Sequence, residues 1–201
     1  MSSYTDMRSL RASQRDLTTD RILQGAETVL RAGQSLTFAS VALAAELPER
    51  TVYRHFETRE LLVQAAWRRV LSRFANDAVP HSVPEYLSQT AEAFQRFSGD
   101  PSLVRAVLHS REVVELREID DSARRAALER CVASACPKLP RRDCRKAAAV
   151  LRVLHSAPAW ELLTDLWGFD ALEASQAVEL AVRSMLTGLG GMPVSNKEKT
   201  K

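Results

Sequence analysis

The residues best suited to bind a ligand lie between Thr37 and Leu62, in the stretch TFASVALAAELPERTVYRHFETRELL. Its apolar residues mark one buried face on each of two short helices: Val41, Ala42 and Ala45 on the first, and Val52 and Phe56 on the second. When the apolar face of the second short helix is buried, its remaining surface carries charged and hydroxyl-bearing side chains, namely Glu49, Arg50, Thr51, Tyr53, Arg54 and His55. Cations and hydroxyls bind phosphate oxygens, and Arg and Glu read base edges. The stretch therefore predicts a surface that contacts DNA.

Patterns typical of catalysis or metal binding are missing from the sequence. It contains no Gly-rich phosphate loop, no His-Glu-x-x-His motif and no nucleophile elbow. Its three cysteines, Cys131, Cys136 and Cys144, do not have the close spacing of metal ligands, and their odd number argues against a disulfide framework. We predict a protein that is not an enzyme and that has no metal and no cofactor. A helical enzyme and a protein-only scaffold remain remote alternatives.

Helices must position the candidate DNA-contacting residues. Of the 201 residues 45% are hydrophobic, these recur at helical spacing, and seven Gly and eight Pro are few, so we predict an all-α protein of about nine helices. The predicted ranges are 16–32, 38–46, 48–55, 58–78, 84–97, 101–109, 111–135, 140–167 and 170–188. The two short helices then have the size and spacing of a helix-turn-helix.

The chain is predicted to contain two domains and a tail. Residues 1–57 form a helix-turn-helix domain, the head, with a flexible arm at 1–15. Residues 58–191 form a helical domain, the body, and residues 192–201 form a polar, disordered tail. Residues 1–75 carry 11 Arg and eight acidic residues, whereas the rest of the chain is balanced, so the net charge of +3 lies in the first part. This distribution favours a head that faces a polyanion.

The sequence also predicts the cellular compartment. No apolar run approaches the roughly 18 residues that a membrane-spanning helix needs. The N-terminal sequence MSSYTDMRSLRASQRD lacks the apolar core of a secretory signal. With cysteines that do not form a disulfide framework, these features predict a cytoplasmic protein without a membrane partner.

The stretch resembles the DNA-binding head of the tetracycline-repressor (TetR) family of transcriptional regulators. That head carries a Thr, a helix of small residues, Thr-x-Tyr-x-His-Phe, and a basic residue three positions later. Here these are Thr37, the helix with Val41, Ala42 and Ala45, the sequence Thr51-Val52-Tyr53-Arg54-His55-Phe56, and Arg59. The match covers residues 16–75, and beyond it only length and helical content are similar.

The resemblance implies that the helix at 48–55 enters the major groove of a palindromic operator in double-stranded DNA. It assigns phosphate contacts to Thr37, Thr51, Tyr53, His55 and Arg59. We expect base contacts from Glu49, Arg50 and Arg54, because Arg can bind guanine O6 and N7 and Glu can accept from cytosine N4. The arm, with Arg8, Arg11 and Arg15, either reaches the minor groove or forms a solvated tail.

Two residues depart from the family pattern in the turn between the short helices. Glu46 stands where the family usually has Gly, and a non-Gly residue in left-handed backbone costs roughly 1 kcal/mol. Pro48 stands where the family often has a Ser or Thr cap, so we expect the cap hydrogen bond to be lost. Neither change removes a DNA-facing group.

The resemblance further implies that the body senses a ligand and forms a homodimer. A small, largely apolar effector with a few polar anchors is expected between helices of the body. The candidate pocket residues are Trp67, Phe94, Phe97, His109, Val113, Leu116, Leu128, His155 and Trp160. The candidate dimer-interface residues, on the last two long helices, are Leu154, Leu162, Leu166, Val178, Val182 and Met185. Residues of both sets could instead fill the core of one chain.

The predicted function is that of a homodimeric repressor, which an unknown small-molecule effector releases from its operator. The effector acts by binding more tightly to a state whose heads are wrongly spaced for DNA. The helix at 58–78 is expected to connect the body to the head. An activator, or a regulator without an effector, would have the same sequence features and remains an alternative.

Overall fold

A computed structural model of the chain describes residues 3–74, 78–110 and 122–191. Ten helices and no strand are found in these ranges, which confirms the all-α prediction. The helices are α1 (Ser3–Arg31), α2 (Phe38–Ala44), α3 (Glu49–His55), α4 (Arg59–Phe74), α5 (Val83–Gly99), α6 (Pro101–His109), α7 (Ser122–Ala135), α8 (Arg141–Leu154), α9 (Ala157–Trp167) and α10 (Ala171–Gly188). The predicted pocket residues Val113 and Leu116 and the predicted tail lie outside the described residues.

Internal contacts divide the chain into two compact units. The first unit comprises residues 1–75 and 105–110 and contains α1 to α4. The second unit comprises residues 76–104 and 111–201 and contains α5 and α7 to α10. The sequence assigned α4 to the body, whereas in the structure α4 packs against α1 within the first unit.

The apolar faces of the first three helices form the core of the first unit. Ile22 and Ala26 of α1, Val41 of α2 and Val52 of α3 have no exposed surface. These residues recur at the spacing that the sequence analysis assigned to buried helix faces. Their burial fixes which side of α3 faces outward.

A buried carboxylate connects α4 to α1. Glu27 is 4% exposed, and its side chain accepts hydrogen bonds from Arg69 and Arg73 of α4 and from Arg31 of α1. Arg69 also donates to Asp20. A buried charge is tolerated when it is paired and hydrogen-bonded in this way. The cluster explains why α4 belongs to the first unit.

Within the second unit, α5 packs against α7, α9 and α10, and α7 packs mainly against α8. Ser82 caps α5 by accepting a hydrogen bond from the Glu85 N–H. On the buried face of α5, the hydroxyl of Tyr86 donates to the carbonyl of Leu151 in α8 at 2.7 Å. These contacts place one face of α5 in the interior of the unit.

Two predicted helices differ from the structure. Helix α1 begins at Ser3 rather than at residue 16, because residues 3–15 contain no Pro or Gly to interrupt it, and the predicted arm is therefore part of α1. The range 140–167 forms two helices, α8 and α9, instead of one. Ser156 caps α9 by accepting from the Ala159 N–H, and Pro158 has no N–H with which to continue α8. With this break the described residues contain ten helices, where about nine were predicted for the chain.

Candidate nucleic-acid interface

The turn between α2 and α3 determines how α3 is presented. Helix α2 begins with a capping box, in which Thr37 Oγ1 accepts from the Ser40 N–H and Ser40 Oγ accepts from the Thr37 N–H, both at 3.0 Å. After α2, Glu46 has a φ of +51°, which confirms the left-handed backbone expected in this turn. Pro48 precedes α3 without a side-chain cap hydrogen bond, also as predicted.

Arg21 of α1 stabilises this turn. Its Nε donates to the carbonyl of Ala45 at 2.8 Å, and its Nη2 lies 3.3 Å from both the carbonyl and a carboxylate oxygen of Glu46. These bonds satisfy carbonyl groups at the C-terminal end of α2 and offset part of the strain at Glu46. The sequence analysis missed Arg21, because no local pattern connects two residues that are 25 positions apart.

Gly25 allows α1 and α2 to approach closely. A Cβ atom at Gly25 would lie 2.8 Å from both the Cβ and the N of Ala45, and 3.0 Å from the carbonyl oxygen of Val41. The sequence analysis did not recognise that α1 must contribute a glycine at this contact.

Helix α3 presents a charged outer face. Val52 and Phe56 are buried, whereas Glu49, Arg50 and Arg54 are exposed. The half-buried Thr51 donates its N–H to the carbonyl of Pro48 at 2.8 Å in the first turn. The three predicted base-contacting side chains are therefore free to meet a partner, while the apolar anchors fix the helix beneath them.

Tyr53 packs on a residue of α2. Its ring stacks on that of Phe38 with the centroids 4.0 Å apart and the planes at 24°, and Tyr53 stays 51% exposed. Stacked aromatic pairs contribute about 0.5–1.5 kcal/mol beyond the burial of their area. The pair holds the phenol ring at the surface of the first unit.

Arg59, the first residue of α4, lies beside the beginning of α2. Its Nε donates at 2.7 Å to the carbonyl of Leu36, which directly precedes Thr37. Phe38, which follows Thr37, is the residue on which Tyr53 stacks. The structure thus brings three predicted phosphate-contacting residues, Thr37, Tyr53 and Arg59, to the beginning of α2.

His55 lies at the C-terminal end of α3, against α1. Its Nδ1 is 3.0 Å from Thr19 Oγ1. Burial lowers the pKa of His55, and the charges of Arg54 and Arg15 lower it further, so its neutral form is favoured. A recess of about 420 Å³ is lined by Gln14, Arg15, Thr18, Arg54 and His55. Arg15, which was predicted to belong to an arm, therefore lies beside α3.

The predicted pocket residues are divided between the units. Trp67 and His109 belong to the first unit, where Trp67 is buried and His109 is exposed. The second unit contains the other described members of the set, which are Phe94, Phe97, Leu128, His155 and Trp160.

Three of these residues form an aromatic cluster inside the second unit. The ring centroid of Phe97 lies 6.3 Å from that of Phe94 and 5.9 Å from that of Trp160. Trp160 Nε1 donates to Ser98 Oγ at 2.9 Å. All three rings are buried, so they contribute to the core of the unit.

His155 follows α8 and faces α5. Its Nδ1 lies 2.7 Å from Thr90 Oγ1, and its ring centroid lies 5.6 Å from that of Tyr86. Burial lowers the pKa of His155 to about 4, and the nearby charges of Arg124, Arg152 and Arg96 contribute to the shift. The imidazole is therefore neutral near pH 7.

Two side chains of α5 have buried polar atoms without a hydrogen-bond partner in the described part of the chain. They are Gln89, through its Oε1, and Arg96, through its Nε and one Nη. Such atoms cost free energy when they stay unpaired. The charge of Arg96 contributes to the low pKa of His155, so the two side chains interact electrostatically.

The predicted dimer-interface residues fall into two groups. Leu162 and Leu166 of α9 are exposed, while Leu154 and Met185 are half-buried. In contrast, Val178 and Val182 are buried within the second unit of the single chain. They lie on the face of α10 that packs into the core of a single chain.

Three further apolar side chains are exposed on the same two helices. They are Trp167 of α9, at 71%, and Leu172 and Leu180 of α10. Helix α10 is apolar on two faces, and periodicity alone does not say which of them is buried in its own chain. We call Leu162, Leu166, Trp167, Leu172 and Leu180 the α9–α10 apolar surface.

The cysteines and the helix lengths of the described ranges bear on metal binding and membrane insertion. No group of three His, Cys, Asp or Glu there could hold a metal ion, and Cys131, Cys136 and Cys144 are buried free thiols. Burial raises the pKa of the Cys131 and Cys136 thiols, which favours their unreactive protonated form. None of these helices is both long and apolar enough to cross a membrane.

The fold and this surface define an all-helical protein with a helix-turn-helix near its N-terminus, and solved structures share this fold. A Clostridium perfringens protein named for the regulation of fatty acid metabolism is similar with a TM-score of 0.58 and 14% identity, over 87% of this chain and 100% of that chain. Salmonella enterica GusR is similar with a TM-score of 0.55 and 20% identity, over 86% and 94%. At these identities the likeness shows the fold alone. No protein-family model and no curated protein sequence matches the chain.

Proposed function

We propose that this protein is a DNA-binding transcriptional regulator of the tetracycline-repressor type and not an enzyme. The observation that carries the proposal is the outer face of α3, where exposed Glu49, Arg50 and Arg54 stand over the buried anchors Val52 and Phe56. A short helix that is fixed on one face and charged on the other suits insertion into the major groove. The two solved structures with the same fold include a protein named as a regulator, which agrees with this proposal.

The side chains around α3 take two roles in this proposal. Glu49, Arg50 and Arg54 contact base edges. Thr37, Tyr53 and Arg59 contact phosphates on one side of the helix, and Thr51 and His55 contribute further phosphate contacts. His55 acts as a neutral hydrogen-bonding group, because its pKa is lowered. Arg15, which lines a recess with Arg54 and His55, adds a cation at the C-terminal end of α3.

The regulator acts as a homodimer on a palindromic operator in the cytoplasm. Support comes from the α9–α10 apolar surface, whose five large side chains are exposed in the single chain. Large apolar side chains that are exposed together on two packed helices are typical of an interface. A two-fold dimer matches a palindrome when its reading helices are about 34–36 Å apart, or a multiple of that distance.

The second unit binds the effector that releases the repressor from DNA. Its interior combines the aromatic cluster of Phe94, Phe97 and Trp160 with the neutral His155. Gln89 and Arg96 add buried polar atoms that a polar group of the effector would pair. The expected ligand is therefore a small, largely apolar molecule with a polar end, bound more tightly by the state that does not bind DNA.

The proposal is tested by selecting duplexes from a random DNA library with the purified full chain. We expect a palindromic consensus, and we expect its affinity to fall steeply with salt because phosphate contacts release counterions. Arg50→Ala should relax the sequence preference, whereas Arg68→Ala, which removes an exposed Arg of α4, serves as a charge-matched control.

A selection that enriches no DNA sequence is the outcome that contradicts the proposal. Because a co-purified effector could keep the protein off DNA, the selection is repeated after unfolding and refolding to remove it. If no sequence is enriched in either experiment, the chain is not a sequence-specific DNA-binding protein. Transcription from the selected site, with and without the protein, then distinguishes a repressor from an activator.

A further inference from the structure

A short segment of the second unit is much more basic than the chain as a whole. Residues 122–146 contain eight Arg or Lys and two acidic residues, whereas the full chain has a net charge of only +3. Counting charge over the whole body conceals this segment, because acidic residues elsewhere balance it. It includes α7 and the first part of α8.

Much of this charge lines one groove on α7 and α8. The groove has a volume of about 690 Å³, and its lining residues are Ser122, Arg125, Ala126, Glu129, Arg141, Arg142 and Arg145. The four arginines are exposed, and they come from both helices. We call this site the Arg groove.

The arginines of the Arg groove have no ion-pair partner among the residues that the structure describes. Several arginines elsewhere are paired, for example Arg69 with Glu27 and Arg183 with Glu179. The nearby Asp143 pairs with Lys146 at 2.9 Å instead of with an arginine of the groove. Four like charges around one groove repel one another, so an anion that enters the groove gains their combined attraction.

The chemistry and size of the groove favour one class of anion. Guanidinium groups bind phosphate oxygens through two parallel hydrogen bonds, and four groups on two helices exceed what a single phosphate can pair. The volume lies in the range of about 300–1,000 Å³ that small-molecule sites occupy. Specific duplex DNA interfaces cover about 1,000–2,500 Å² of protein, far more than seven lining residues offer.

We propose that the Arg groove binds a small molecule that carries two or three linked phosphate groups. Arg125 binds it from α7, and Arg141, Arg142 and Arg145 bind it from α8. A nucleotide and a free oligophosphate share this chemistry. The site goes beyond the proposed function, which uses none of these residues.

The experiment is calorimetric titration of the full chain with inorganic tripolyphosphate, ATP, AMP and adenosine. The test variant is Arg141→Gln with Arg145→Gln. The control is Arg130→Gln with Lys138→Gln, which removes the same charge from exposed positions of the same segment outside the groove. Circular dichroism verifies that both variants keep their helices.

We expect saturable binding of tripolyphosphate and ATP at one site per chain, much weaker binding of AMP, and none of adenosine. Each guanidinium removed should weaken binding about tenfold, because a charge-assisted hydrogen bond is lost. The control should bind like the parent protein. Equal affinity for tripolyphosphate and ATP identifies a free oligophosphate site, and a preference for ATP identifies a nucleotide site.

Three outcomes would overturn the proposal. The first is the absence of saturable binding for both tripolyphosphate and ATP. The second is an equal loss of affinity in the test variant and the control, which would show attraction by net charge alone. In the third, the parent protein binds neither phosphate compound, and the test variant has a lower affinity than the parent for non-operator duplex DNA. That result would make the groove a DNA-contacting surface. None of these results depends on whether α3 reads an operator.

Discussion

Glu27 Oε1 accepts a hydrogen bond from Arg69 Nε at 2.7 Å, and this contact joins α1 to α4. The same carboxylate pairs with Arg73, so one buried acid binds two cations of α4. Since α1 packs against α2 and α2 against α3, the acid fixes α4 to the helices that present the candidate DNA-contacting surface. Its removal is therefore expected to affect the whole first unit.

The variant Glu27→Gln tests this connection. The neutral amide leaves Arg69 and Arg73 without their counter-charge, and breaking a buried pair costs about 3–5 kcal/mol. Because the Arg69 side chain is 30% exposed, we expect a loss near the lower end, about 3 kcal/mol, in the free energy of unfolding by urea. Glu179→Gln, which breaks a more exposed pair with Arg183, should cost less than about 1 kcal/mol. Equal losses in the two variants would show that the buried ion pairs of Glu27 stabilise the protein no more than the exposed pair of Glu179 does.

Gly25→Ala tests the close approach of α1 and α2. The new Cβ would meet the Cβ and N of Ala45 at 2.8 Å, so the helices must separate, at a cost of about 1–3 kcal/mol. Gly188→Ala is the matched control, because its Cβ would meet no described atom within 4 Å and alanine favours a helix. Thermal unfolding should show a lower Tm for the first variant and an unchanged or higher one for the second. A stable Gly25→Ala protein would refute this requirement for glycine.

The sequence predicted the parts of the fold that depend on local signals. The left-handed turn at Glu46 and the periodic anchors Val52 and Phe56 lie within one short stretch, and the structure contains all of them. The break at Ser156 was missed, although Ser156 and Pro158 carry its signal, because apolar residues continue at helical spacing on both sides.

Contacts between distant positions could not be predicted in this way. Arg21 reaches Ala45 and Glu46 across more than twenty residues, and only the packing of α1 on α2 brings them together. On α10, periodicity identified Val178 as apolar but could not decide whether it faces its own chain or a partner. The charges of α7 and α8 were hidden because residues 76–201 as a whole carry no net charge.

Tyr53→Phe tests the phosphate contact proposed for the hydroxyl of Tyr53. Phe keeps the stack on Phe38, so the free energy of unfolding should stay unchanged. Loss of one hydrogen bond to a charged group costs about 1.5–3 kcal/mol, so operator affinity should fall about tenfold or more. The salt dependence should be unchanged, since no charge is removed. If Tyr53→Phe binds the operator like the parent protein, the hydroxyl does not contact DNA.

Leu166→Glu tests the proposed homodimer. Leu166 is 74% exposed, so the substitution should not unfold a single chain, but it places a charge in the α9–α10 apolar surface. We expect sedimentation to show a dimer for the parent protein and a monomer for the variant. Leu43→Glu, at an 83% exposed leucine of α2, adds the same charge elsewhere and should leave the dimer intact. A dimeric Leu166→Glu protein would place the interface on another surface.

The pH dependence of stability should report the burial of His155. The pKa of His155 is about 4 in the folded chain, whereas a solvent-exposed His in the unfolded chain has a pKa of 6.5. At pH 7 the imidazole is therefore mainly neutral in both states. Between these values the unfolded chain binds a proton that the folded chain does not, so the free energy of unfolding falls as the pH falls. From pH 7 to pH 5 this loss is about 2 kcal/mol.

His155→Gln removes the titrating group and leaves an amide that can still bond to Thr90. Urea unfolding at the two pH values should show a smaller decrease for this variant than for the parent protein. His81→Gln, at an exposed position, should keep the parent's pH dependence. If the decrease is the same in the parent and His155→Gln, the imidazole is protonated as easily inside the protein as in water, and the lowered pKa is refuted.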